Sequence, residues 1–258
     1  MGHAYIVDAC RTPRGIGKVG KGALAHLHPS YLGSTVLAAL AERNNLNTGE
    51  VDDIIWGTSS QSGKQGGDLG RMAALNAGYD VRSSGVTLDR FCGSGITTVN
   101  LAAAQVMSGL EDLVVAGGTE MMSYHSQIGD PSTPPMIDSG NLHLRAMHPQ
   151  SQQGACADAI ATIEGIDREA GDDLALVSQA RAARAISEGR FDKSLITVKN
   201  PDGSVALDHE EFPRPQTTKE GLSELKTVFS VVRDVPVDEQ GTTYGALILQ
   251  KYPEITEF

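Results

Sequence analysis

Cys92 sits in the run Phe91-Cys92-Gly93-Ser94-Gly95, between a β-patterned stretch over residues 84–91 and an alanine-rich amphipathic segment that begins directly after it. A thiol delivered to a glycine-rich turn at a helix N-terminus meets unpaired backbone N–H groups and the positive end of the helix dipole, and both favour the thiolate. The thiolate is the form that attacks an acyl carbon. Gly93 and Gly95 carry no side chain, so a substrate carbonyl can approach the backbone closely and neighbouring N–H groups can hold a developing oxyanion. On local chemistry alone the alternative is a small buried hydrophobe, the ordinary role of a free cysteine.

The elements that must position this thiol are read from periodicity. Residues 4–9 form an apolar strand and 11–22 a basic, glycine-rich loop; Leu32, Val36, Leu37 and Leu40 then recur at helical spacing, and 51–56 reads as a second strand. A helix over 66–78 carries Leu69, Met72, Ala73 and Leu75, and 85–91 is a third strand. Beyond Cys92, Ile96, Val99, Ala103, Val106, Met107 and Leu110 share one helical face, and 113–116 begins a fourth, buried strand. Strands alternating with helices of this length predict β-α-β units on a largely parallel sheet with helices on both faces, a layered α/β domain.

After Ser123 the character changes. Residues 126–153 are rich in Pro, Ser, Gln and His without sustained periodicity and read as a long irregular excursion. Asp172 or Asp173 then offers an N-cap for a helix through Leu174, Val177, Ala182 and Ile186 that ends at Gly189. A strand at 195–198, the turn Asn200-Pro201-Asp202-Gly203 and a short helix over 219–225 capped by Thr218 complete a loop-rich α+β module.

Composition excludes several classes. A chain of 258 residues with 40% hydrophobic and 21% charged residues is globular, and its net charge of −11 argues against nucleic acid or an anionic membrane as partner. The three cysteines, far apart in the chain, form neither a disulfide framework nor a Cys-x-x-Cys metal pattern, which predicts a reducing compartment. No apolar run approaches the roughly 20 residues that span a bilayer, and the N-terminus lacks a secretory signal, so the expectation is cytoplasmic.

Five motifs in order carry a resemblance. They are Ile6-Val7-Asp8-Ala9-Cys10-Arg11-Thr12-Pro13; the run from Asp89 to Gly95; Ala116-Gly117-Gly118-Thr119-Glu120-Met121-Met122-Ser123; Ser178-Gln179 with Gly189-Arg190-Phe191; and Phe212-Pro213-Arg214-Pro215-Gln216-Thr217-Thr218. Together they resemble the thiolase family, the acyl-CoA acetyltransferases that make or cleave 3-ketoacyl-CoA in fatty-acid and lipid metabolism, over nearly the whole chain to about Phe229. The resemblance implies the thiolase fold, with an α/β domain over 1–123 that carries the acyl-accepting Cys92, a loop domain over 124–250 on the coenzyme A side, and 251–258 as the lead-in to a further strand. It implies that Gly93 and Gly95 support the turn and the oxyanion, that Arg214 approaches the phosphates of coenzyme A, and that coenzyme A and acyl-CoA are substrates, with no resident cofactor and no metal. A homodimer or homotetramer is the implied assembly.

The resemblance also implies what is missing. In the family a second cysteine, a histidine and a water-holding asparagine lie on Cys-x-Gly, Gly-His-Pro and Asn-Glu-x-Phe-Ala-like motifs of a C-terminal domain, and none of these motifs is found here. His28-Pro29 and His148-Pro149 lack the preceding glycine. The expectation is a portion of a longer chain, or one subunit of a split enzyme whose partner chain supplies the rest, able to become acylated on Cys92 but not to finish condensation or thiolysis alone. Ending at Phe258 is expected to leave core surface bare and strand edges unpaired.

The remaining residues are weighed individually. Glu120 satisfies backbone donors or serves the site; Met121 and Met122 line a pocket or fill core; Arg11, Arg14, Lys18 and Lys21 form a phosphate patch, a solvated loop or a subunit contact; Arg71 serves a dimer interface; Cys10 and Cys156 are structural or incidental. Gln152-Gln153-Gly154 stands where family members often place His-Met-Gly, which points to an unusual acyl substrate. Two rival readings stay open: a non-catalytic acyl-CoA-binding or scaffold subunit, and a ketoacyl-synthase relative loaded from an acyl carrier protein.

Overall fold

The run Ile54-Ile55-Trp56 is apolar at every position, the pattern of a strand covered on both faces, and it forms the centre of strand β1, Asp53–Gly57. The computed structural model describes residues 2–128, 138, 140–148, 150, 152–229 and 243–251. β1 is flanked by β2, Val86–Leu88, and β3, Val114–Gly118, in the order β2-β1-β3, with both pairings parallel. Register places Ile55 opposite Val86 on one side and opposite Ala116 on the other.

Helix α1, Pro29–Arg43, starts where His28 accepts the Ser30 N–H and Pro29 fills the first turn. It packs on α2, Leu69–Asn76, whose N-terminus is capped by Asp68. Leu37, Val51, Ile54, Trp56, Leu69, Ala73, Ala74 and Tyr79 form the main core between these helices and β1. Trp56 explains two glycines, because a Cβ at Gly70 would come 2.4 Å from its Cβ and one at Gly117 would come 2.4 Å from its ring carbon Cζ3. Its Nε1–H donates to Thr119 Oγ1 at 3.0 Å.

Helix α3, Ser94–Ser108, follows Cys92 and lies on β1 and β3. Its buried residues are Ser94, Thr97, Thr98 and Ala102, so small and hydroxylated side chains make a close approach to the sheet. The apolar face read from the sequence is instead turned outward, with Ile96 72% and Leu110 69% exposed and Val99 and Met107 also open. Two strand expectations change for a related reason. Residues 4–9 join no strand, and Tyr5, Ile6 and Val7 are about 80% exposed; among the described residues β3 is an edge strand, half-buried over 114–117 and exposed at Gly118, rather than a buried strand. Helix α4, Met122–Ile128, follows β3 and runs into the first residues of the stretch 126–153 expected to be irregular.

The chain divides into two compact units, one of Met1–Gly129 with Glu188–Phe212, the other of Asp130–Ser187 with Pro213–Phe258. In the first, β4, Val198–Lys199, and β5, Val205–Leu207, form a hairpin about the expected turn, with Gly203 at φ 87°. Leu24, Leu27, Val198 and Leu207 give it a small core. In the second, α5, Leu142–Met147, forms inside the stretch 126–153 expected to be irregular, α6, Gln153–Glu164, follows it, and Cys156 is an exposed residue of α6. Helix α7, Arg168–Ser187, begins earlier than Asp172 because Asp167 accepts the Ala170 N–H and Arg168 pairs with Asp172 one turn on. Helix α8, Lys219–Ser223, is capped by Thr218 as expected, and α9, Tyr244–Lys251, follows. Of the expected lead-in at 251–258, Lys251 ends α9 and residues 252–258 lie outside the described residues.

Candidate active site

Cys92 is exposed and stands one residue before Gly93, the N-cap of α3. The turn that delivers it is closed twice over. Gly93 N–H donates to Arg90 O at 3.0 Å and Ser94 N–H to Phe91 O at 3.1 Å, while the Ser94 hydroxyl donates to Phe91 O at 2.7 Å and accepts from Arg90 N–H at 2.9 Å. Asp89 accepts the Phe91 N–H at 2.6 Å. Phe91 is held at φ 49°, a left-handed conformation that costs a non-glycine residue about 1–3 kcal/mol and is retained where surrounding bonds over-determine it.

The two glycines do different things. Gly93 supports the turn, and its N–H is already committed to Arg90 O. Gly95 opens onto empty space, and the N–H groups of Gly95 and Ile96 have no acceptor among the described residues. No side chain caps the helix. The open donors at the α3 N-terminus are therefore those of residues 95 and 96, one turn from the thiol.

Ser94 also seats the turn on the sheet. Gly57, the last residue of β1, lies against it so closely that a Cβ there would sit 2.9 Å from Ser94 Cβ. Thr58 N–H donates to Leu88 O at 3.1 Å, and Thr119 N–H to Gly57 O at 3.0 Å. The exits of all three parallel strands thus meet beneath Cys92, at the carboxyl end of the sheet where open α/β folds place their sites.

Glu120 follows β3 at this same end. Its Oε2 accepts from Ser59 N–H and the Ser59 hydroxyl, each at 2.6 Å, and from Thr58 Oγ1 at 3.2 Å; its Oε1 accepts from Gln65 at 3.0 Å and faces His125 Nε2 at 2.6 Å. Burial opposes ionisation of this carboxyl, but the hydrogen bonds from Ser59, Gln65 and His125 outweigh it and hold Glu120 below the ordinary glutamate value. Gln65 is fully buried and accepts the Met121 N–H at 2.8 Å. Met121 is buried and Met122 exposed.

The basic loop is occupied from within the chain. Arg11 pairs with Glu210 at 2.5 Å and stacks over the Phe191 ring at 4.9 Å, while Arg14 reaches the same carboxylate through its main-chain N–H at 2.9 Å. Glu211 accepts the N–H groups of Ile16 and Ala23. Arg71, read as an interface residue, donates to the carbonyls of Val81 and Ser83. Cys10 is half-buried with its thiol toward Val36 O, and burial pushes it above the ordinary thiol value.

In the second unit, Arg214 is placed by its backbone. Its N–H donates to Gln179 Oε1 of α7 at 2.7 Å and its carbonyl accepts from Thr217, leaving the guanidinium exposed and without an ion-pair partner among the described residues. Gly154 admits the Phe229 ring, which a Cβ would meet at 2.3 Å. Among the described residues no group of three or more His, Cys, Asp or Glu side chains is arranged to hold a metal ion, and no helix is long and apolar enough to cross a membrane.

Comparison with known proteins agrees with this architecture. Residues 4–235 match the family described as thiolase, N-terminal domain. A β-ketoadipyl-CoA thiolase of Acinetobacter baylyi is 38% identical over 244 residues, covering 88% of this chain and 60% of the relative. A 3-ketoacyl-CoA thiolase of Vibrio vulnificus is 34% identical over 89% of this chain and 58% of its own length, and one of Bacillus subtilis is 32% identical over 90% and 60%. The chain thus spans about 60% of the length of the curated relatives it matches. With a match of this extent and the strand-turn-helix around Cys92 in place, the chain belongs to the thiolase family through its N-terminal domain.

Proposed function

We propose that this chain is the nucleophile-bearing part of an acyltransferase that moves acyl groups between 3-ketoacyl-CoA or acyl-CoA and coenzyme A. The observation that carries the reading is the exposed Cys92 on an over-determined turn before the uncapped N-terminus of α3. The Cys92 sulfur attacks the thioester carbonyl carbon; a new C–S bond forms and the bond to the coenzyme A sulfur breaks, with that thiolate leaving to take up a proton. Negative charge on the carbonyl oxygen in the intermediate suits the free N–H groups of Gly95 and Ile96. Arg214 offers a planar, uncommitted cation for coenzyme A phosphates.

The groups that handle the α-carbon proton and the enolate come, on this reading, from a second α/β half, on the same polypeptide or another. Three surfaces support it: the outward apolar face of α3, the bare residues Tyr5 to Val7, and the edge of β3, which no further strand among the described residues pairs with. A homodimer formed through the first unit belongs to the same proposal.

The test is incubation with acetyl-CoA followed by intact-mass and peptide analysis. One acyl group on Cys92, absent in Cys92→Ser, is the expected result. Saturable coenzyme A binding with no adduct on a folded chain sinks the catalytic reading in favour of a binding subunit.

A further inference from the structure

We propose that Glu120 is a positioning residue for Cys92, acting through the end of β1. The inference rests on Cys92 as the reactive group, but its test does not require acyl-CoA.

The physical path is short. The Glu120 carboxylate gathers donors from two loops that leave adjacent strands: Thr58, Ser59 and Gln65 after β1, and His125 after β3. Gln65 locks the pair by donating to Thr58 Oγ1 and Ser60 O while accepting from Met121 N–H, so the clamp is tied on both sides. What the clamp fixes is the position of Gly57 and Thr58. Gly57 is the surface on which Ser94 rests, and Thr58 N–H holds Leu88 O at the end of the strand leading to Cys92. Ser94 in turn closes the turn through Arg90 and Phe91. An ionised carboxylate suits this task, since charge-assisted bonds are shorter and about twice as strong as neutral ones, and acceptor-only chemistry matches a ring of donors.

The position of a thiol one residue before a helix N-cap decides how strongly it feels the helix terminus, an effect that falls off within the first turn. Removing the clamp therefore changes Cys92 itself and leaves remote thiols alone. Cys156, exposed on α6 in the other unit, is the internal control, and the half-buried Cys10 reports general opening.

The experiment is site-resolved alkylation with iodoacetamide, read by peptide mass spectrometry, on the 258-residue chain and its variants. For Glu120→Ala the Cys92 rate falls at least fivefold relative to Cys156, with Cys10 still protected. Glu120→Gln, which keeps one acceptor toward Ser59 but turns an amide NH2 toward the Gln65 donor, and Ser59→Ala, which removes one donor without touching the buried Gln65, both fall between the parent and Glu120→Ala. An unchanged Cys92-to-Cys156 ratio in folded Glu120→Ala overturns the proposal. So does a drop accompanied by Cys10 exposure in all three variants, which assigns Glu120 a purely structural role. A parent chain whose Cys92 is alkylated but takes no acyl group defeats the acyltransferase reading and leaves this one standing.

Discussion

The Ser94 hydroxyl bridges Arg90 N–H and Phe91 C=O, at 2.9 and 2.7 Å, and so closes the turn in which Phe91 adopts its left-handed φ of 49°. The serine is buried, and it sits on Gly57 at the end of the central strand. Cys92 is thus held in its turn by the side chain of the residue two positions on.

Ser94→Ala removes both bonds while keeping the Cβ that packs on Gly57. Arg90 N–H loses its acceptor, while Phe91 C=O keeps the Ser94 N–H; the loss of these part-buried bonds costs about 0.5–1.5 kcal/mol, so the urea midpoint falls with an unchanged slope. Cys92 alkylation slows several-fold at the same time. A variant with full stability and full Cys92 reactivity would show that the backbone bonds from Gly93 and Ser94 suffice.

Much of this arrangement is legible in the residues themselves. The Ile54-Ile55-Trp56 run, the helical spacing from Leu32 to Leu40 and the glycines around Cys92 each report a local demand, and local demands leave local patterns. Long-range partners do not. Glu210 and Glu211 look like solvated acids between His209 and Phe212, and only the fold brings them to a loop almost 200 residues earlier. The α3 helix misleads for another reason: periodicity identifies an apolar face but not what covers it, and here the sheet is met by Ser94, Thr97 and Thr98 instead. Asp167 is hard to single out as the cap from sequence, because two further acids, Asp172 and Asp173, offer the same signal five and six residues later.

The Glu210 side chain is only 4% exposed where it meets Arg11. Burial opposes its charge, but the Arg14 N–H and the Arg11 and Arg14 guanidiniums prevail and hold its carboxyl below the ordinary value of 4.5. A carboxyl lowered in the folded state adds stability that is fully present above 4.5 and is lost as pH falls through the folded value. The Glu210 contribution to the thermal midpoint should therefore be level from pH 7 to about pH 5 and decline below. Glu210→Gln should lower the plateau and soften the acid decline, and an acid limb of unchanged steepness in that variant would remove Glu210 as its source.

Gly117 faces the Trp56 ring across the β1–β3 pairing, and a Cβ there would lie 2.4 Å from Cζ3. Neither strand nor indole has room to retreat, because Trp56 is buried and hydrogen-bonded to Thr119. Gly117→Ala is expected to cost about 1–3 kcal/mol through overpacking, measured by denaturant unfolding. Trp56→Phe in the same background should recover part of that loss, since the smaller ring vacates the contested space; a double variant no more stable than the single one would locate the strain elsewhere.

Ile96, Val99 and Met107 on α3, Leu110 just beyond it, and Tyr5, Ile6 and Val7 all present large apolar side chains to water. Removing such residues from water is worth about 25 cal/mol per Å², so a surface like this seeks cover from whatever is available. The chain alone should self-associate with rising concentration and bind a hydrophobic dye. Leu110→Glu, at an exposed position just beyond the helix C-terminus, should reduce both while changing stability by less than about 0.5 kcal/mol, as surface substitutions do. Sedimentation velocity decides the matter: a parent chain that stays monomeric at all concentrations, with no dye uptake for Leu110→Glu to diminish, would mean that this face requires no partner.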